Sequence, residues 1–252
     1  MAKRARALAL ARSNDDDRIH ALFDHPRHAR RYEQEGRFDD DKRDQSYIRH
    51  IRAKSRNQTA LIEAIESHNL TVAVGPAGTG KTYIALAKAV EAFEDGRVAR
   101  IILSRPAVEA GENLGYLPGD MTEKLAPYLR PLYDALTDRL GGKRLRSLIA
   151  DGSIEIAPVA FMRGRTLNNA FVVIDEAQNC TYGQLKMLLT RLGWSSTMIL
   201  TGDPDQTDLL DGMSGFAEMA RRLEAVDGVA VVRLGDADIV RHPLVASMLA
   251  VL

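Results

Sequence analysis

The stretch Gly75-Pro76-Ala77-Gly78-Thr79-Gly80-Lys81-Thr82 decides how the chain folds. It fits G-x-x-x-x-G-K-[ST], the pattern of a loop that cradles phosphate. Glycines let the backbone curl until successive N–H groups point at one anion. A following helix adds the positive end of its dipole at the same place. Lys81 then reaches the β- and γ-phosphates, and the Thr82 hydroxyl is a Mg²⁺ ligand. The flanks agree with this reading. Leu70-Thr71-Val72-Ala73-Val74 reads as a buried strand and 83–90 as a helix, and Tyr83, directly after the loop, is counted with 75–82 among the expected nucleotide-binding residues.

Outward from the loop, strand and helix keep alternating. Short apolar strands are expected at 100–104, 154–157, 171–174, 197–200 and 229–234. Helices are expected around 61–65, 122–140, 143–150, 184–189, 213–224 and 243–251. Strands apolar on both faces and separated by helices imply an α/β fold: a mostly parallel sheet covered by helices, in three layers. The Gly- and Pro-rich stretch from Pro106 to about 120 is long for a simple connection and is expected to carry function.

The strand Phe171-Val172-Val173-Ile174 runs into Asp175-Glu176. Ligands bind beyond the carboxyl ends of parallel strands, so both carboxylates are expected beside the glycine loop. There Asp175 would hold Mg²⁺, and Glu176 would orient and deprotonate an attacking water. The next strand ends in Thr201-Gly202-Asp203-Pro204-Asp205-Gln206, and Gln206 is the candidate to touch both the γ-phosphate and that water. Gln58, with an amide that donates and accepts, is a candidate reader of the adenine edge. Arg241 is a candidate to neutralise charge on the γ-phosphoryl group, with Arg163 and Arg165 as rivals.

Bulk properties narrow the class. The 252 residues are 45% hydrophobic, enough for one core plus a tail. The single cysteine, Cys180, excludes an internal disulfide and reads as a small buried apolar residue. No apolar run approaches the roughly 18 residues of a membrane-spanning helix, and no signal peptide is recognisable, so no membrane role and a cytoplasmic location are expected. Net charge is zero, but residues 1–57 hold 15 Lys and Arg against 10 Asp and Glu, and the remainder 19 against 24. Residues 1–50 therefore read as a basic, extended arm before a domain at 51–252.

Taken together, the motifs make the chain resemble the PhoH family, P-loop ATPases related to the superfamily-one helicase core. The resemblance rests on 75–82 and on Arg105-Pro106-Ala107-Val108-Glu109-Ala110-Gly111-Glu112. Leu114-Gly115-Tyr116-Leu117-Pro118-Gly119-Asp120, the segment 161–166, Asp175-Glu176-Ala177-Gln178-Asn179 and Gly202-Asp203-Pro204-Asp205-Gln206 complete it. It implies a RecA-like core, ATP with Mg²⁺, and a ring-shaped homo-oligomer such as a hexamer. It also implies that 105–112 lies near single-stranded nucleic acid, and that Arg105, Arg163 or Arg165 contacts nucleic acid or acts across a subunit interface. The expected activity is ATP hydrolysis coupled to RNA remodelling. The alternatives are a nucleotide-switched module regulating a ribonuclease partner and, ranked last, a small-molecule kinase.

Overall fold

The computed structural model describes residues 51–106, 121–210 and 212–240. The arm at 1–50, the stretch 107–120, Arg241 and the helix expected at 243–251 lie outside the described residues. In chain order the elements are α1 (Arg56–Ser67), β1 (Leu70–Val74), α2 (Lys81–Glu94) and β2 (Arg100–Arg105). There follow α3 (Met121–Leu140), α4 (Gly142–Ala150), β3 (Ile154–Pro158), β4 (Ala170–Ile174) and α5 (Tyr182–Leu189). The described part closes with β5 (Thr197–Gly202), α6 (Phe216–Leu223) and β6 (Val229–Arg233).

All five strand pairings are parallel, in the order β3-β2-β4-β5-β1-β6. Alternation along each strand feeds two cores. Ile101, Leu103, Phe171, Val173 and Ile199 pack with α1 to α4 on one face. Ile102, Val172, Ile174, Met198 and Leu200 pack with α5, α6 and Met162 on the other. Both faces are thus covered, which is why the centres of the strands are apolar and their polar residues fall mostly towards the ends. The expected three-layer architecture is the one observed.

Two differences from the sequence reading have local causes. The expected helix at 213–224 begins only at Phe216. The Ser214 hydroxyl donates to the Gln178 carbonyl at 2.7 Å, and Gly215 lies so close to Tyr182 that a Cβ would come within 2.3 Å of its backbone. The 3₁₀ turns at Val159–Met162, Ala177–Asn179 and Asp236–Asp238 are too short to show any periodicity in sequence.

For the site, one feature of the order matters most. β5 lies between β1 and β4, with Val74 beside Gly202 and Ile174 beside Leu200. The carboxyl ends of these three strands therefore present the glycine loop, Thr201 to Asp203, and Asp175 side by side.

Candidate functional site

The glycine loop leaves β1 through a tight passage. Gly75 donates its N–H to the Gly202 carbonyl at 3.1 Å, and a Cβ at Gly75 would sit 2.4 Å from the Leu234 carbonyl oxygen. Gly80 adopts φ +84° at the start of α2, a left-handed conformation that favours glycine. Lys81 follows, nearly buried, and its ammonium donates to the Gly75 carbonyl at 2.6 Å and the Pro76 carbonyl at 2.8 Å. Burial pulls its pKa below the ordinary lysine value, while the charges of Asp203, Glu176 and Asp175 oppose that shift.

Asp175 is 3% exposed at the tip of β4. Its Oδ1 accepts from the Thr82 hydroxyl at 2.6 Å and from the Thr201 hydroxyl at 2.7 Å. The structure thus brings Thr82 and Asp175 together as expected and adds Thr201, which sequence reading did not single out. Only the strand order, with β5 beside β4, brings that threonine to Asp175.

Glu176 sits in the left-handed region at φ +53°, uncommon for a residue with a side chain. Its Oε2 accepts from Gln178 Nε2 at 2.5 Å, and Arg105 Nη2 lies 3.3 Å from its Oε1. The Arg105 guanidinium also stands 3.6 Å from Asp175, so it faces both carboxylates. Gln178 is a further residue whose place the sequence did not announce. It ties Glu176 to the neighbouring turn by donating to the Gln206 carbonyl at 3.1 Å and accepting the Asp203 N–H at 3.1 Å. Asp203 in turn accepts the Ala77 N–H at 3.2 Å, which joins that turn to the glycine loop.

The remaining candidates divide. Gln206 is exposed beside Asp203, joined to it by a backbone bond of 3.1 Å. Gln58 is buried against the loop: its Nε2 donates to the Thr79 carbonyl at 3.0 Å and its Oε1 accepts the Lys54 N–H at 2.7 Å. Each end of that amide keeps one further hydrogen-bonding position. Tyr83 is exposed on α2, with the Arg139 guanidinium 4.7 Å from its ring centre. Arg165 forms a two-pronged ion pair with Glu155 at the edge strand, on the far side of β2 from the carboxylates, and Arg163 beside it is exposed. Cys180 is fully buried, and burial pushes its thiol up to about 12.

A buried lysine in a glycine loop thus faces a strand-end Asp-Glu pair across one intervening strand. The family model for PhoH-like protein matches residues 50–252. The chain belongs to the PhoH-like protein family. A PhoH-like protein of Bacillus subtilis is 54% identical over 200 residues, 79% of this chain and 63% of that relative's length. One from Mycobacterium tuberculosis is 52% identical over 199 residues, and Protein PhoH of Escherichia coli is 49% identical over 197 residues. Those matches cover 79% and 77% of this chain and 56% of each relative. The chain therefore spans about three-fifths of the length of these relatives. Among solved structures, the large terminase from a thermophilic bacteriophage aligns with a TM-score of 0.49 at 13% identity, covering 77% of this chain and 49% of that one. The Sulfolobus solfataricus SWI2/SNF2 ATPase core aligns at 0.44 and 14%, covering 73% and 45%. No helix among the described residues is long and apolar enough to cross a membrane.

Proposed function

We propose that the protein binds ATP in the glycine loop and hydrolyses it to ADP and phosphate with Mg²⁺. The observation that carries this reading is the convergence of Lys81, Thr82, Asp175 and Glu176 at the ends of β1 and β4. On binding, the Lys81 ammonium would exchange the Gly75 and Pro76 carbonyls for phosphate oxygens. Its burial makes that charge-assisted contact stronger than it would be in water. Glu176, steadied by Gln178, is the base that orients and deprotonates the attacking water, and Gln206 is placed on the adjoining turn to hold the same water. Gln58 keeps its free amide positions for the adenine edge.

Mg²⁺ fits the donors present. The Thr82 hydroxyl and the Asp175 carboxylate are hard oxygen groups, and the described residues hold no cluster of three or more His, Cys, Asp or Glu. That suits an ion that takes most of its ligands from substrate phosphates and water. When bound, it would neutralise charge on the phosphates.

Water is a better acceptor here than a small-molecule alcohol, because Glu176 and the Asp203–Gln206 turn already supply what a water nucleophile needs. The use of the energy is proposed as remodelling of single-stranded RNA by a ring of copies. The nucleotide-switched module acting on a ribonuclease partner is the rival outcome. ATP turnover tests both levels. The wild type should release phosphate, Glu176→Gln should not, and single-stranded RNA should raise the rate with a salt-sensitive effect. Turnover retained in Glu176→Gln would remove that residue from its role. A molecular mass that follows ATP, with no response to RNA, would favour the switched module.

A further inference from the structure

Asp238 is none of the groups proposed to act on the phosphate, yet it is 3% exposed and hydrogen-bonded. Its Oδ2 accepts from Asn57 Nδ2 at 2.8 Å and from the Gly235 N–H at 2.7 Å. These contacts tie the start of α1 to the segment after β6, residues 181 apart in sequence. Both tied segments touch the glycine loop. Val240 donates its N–H to the Gly78 carbonyl at 2.9 Å, and Gln58, next to Asn57, donates to the Thr79 carbonyl at 3.0 Å.

In a trans peptide the carbonyl and the following N–H point in opposite directions. Described peptides are all trans. Holding the Gly78 and Thr79 carbonyls outward therefore turns the Thr79 and Gly80 N–H groups toward the hollow of the loop. Those are the donors a phosphate needs. We infer that Asp238 is a positioning residue for nucleotide affinity: by clasping Asn57 and the turn at Gly235, it keeps two outer anchors on the loop and so presets its phosphate-facing N–H groups. The inference rests on the nucleotide-binding reading above.

Asp238→Ala should weaken Mg·ATP binding about tenfold while changing kcat at saturating ATP by less than twofold, because neither Glu176 nor Gln206 touches the clasp. A general loss of folding is separated by rescue. Asp238→Asn keeps a carbonyl oxygen that accepts from Asn57 Nδ2 and the Gly235 N–H, whereas Asn57→Asp sets two carboxylates against each other and breaks the clasp. Binding of Mg·ATP by calorimetry, with melting temperature recorded for each variant, reads the outcome. Affinity kept near the wild-type value in Asp238→Asn but lost in Asp238→Ala and Asn57→Asp supports the clasp. Wild-type affinity in Asp238→Ala or Asn57→Asp, or affinity in Asp238→Asn as weak as in Asp238→Ala, overturns it. A wild-type protein that binds no Mg·ATP would instead overturn the nucleotide reading itself.

Discussion

The two halves of the glycine loop are built on opposite plans. Over Gly75 and Pro76 the carbonyls point inward and hold the Lys81 ammonium. The Ala77 N–H that follows is directed at Asp203. Over Gly78 and Thr79 the carbonyls point outward to Val240 and Gln58, which leaves the next N–H groups facing inward. The first half secures the lysine and joins the loop to the turn after β5. The second half turns its next donors toward the hollow where the proposed phosphate would sit. A single consensus motif thus contains one part that answers to the sheet and another that answers to the ligand, and substitutions should separate them.

The largest effect belongs to the lysine that the first half holds. Lys81→Ala should lower ATP turnover by about 10²-fold or more, in line with the loss of a preorganised charge, as read by phosphate release. A protein that kept more than about a tenth of its rate would show that Lys81 only fastens the loop. Next comes the passage out of β1. In Gly75→Ala the new methyl meets backbone rather than a flexible side chain. It should cost about 3 kcal/mol of folding stability, measured by urea unfolding. Gly80→Ala probes the other half. Its Cβ meets only side-chain ends, Gln58 Nε2 at 3.3 Å and Ile84 Cδ1 at 3.9 Å, so the left-handed backbone dominates the cost, about 1–2 kcal/mol. If Gly80→Ala proved the more destabilising, the division between the halves would be wrong.

Thr201→Val removes one donor to the buried Asp175 carboxylate and should cost about 1–2 kcal/mol of stability. It should also raise the Mg²⁺ concentration needed for half-maximal turnover, since Asp175 loses a fixed orientation. The smallest effect is in pH. Burial lowers the Lys81 pKa, so the charged ammonium of the free protein is lost at lower pH than the ordinary 10.5. Affinity for Mg·ATP should therefore begin to fall with rising pH earlier than it would for an exposed lysine. Measuring binding across an alkaline series, below the pH at which the protein unfolds, checks the sign.

Much of this organisation was legible in the sequence because it is local. All six strands stand within one or two residues of where their apolar runs placed them. The loop and the Asp175-Glu176 tip carry their chemistry in contiguous letters. What escaped depends on contacts between distant segments. Thr201 reaches Asp175 only because β5 lies between β1 and β4, an order that no apolar run encodes. Asp238 meets Asn57 only when the ends of the described domain come together beside the loop. Gln178 stands in a recognisable Asp-Glu-Ala-Gln string, but its link to the turn at 203–206 appears only once β4 and β5 are paired.

If one loop and one acidic strand tip form a single site for a metal-bound triphosphate, ATP, Mg²⁺ and Lys81 must act together in binding. Calorimetric titration with ATP, with and without Mg²⁺, on the wild type and on Lys81→Ala reads that coupling. Binding to the wild type should be saturable and strengthened by Mg²⁺, and weaker by about 10²-fold or more in Lys81→Ala. No binding to the wild type, or equal binding to both proteins, would contradict it.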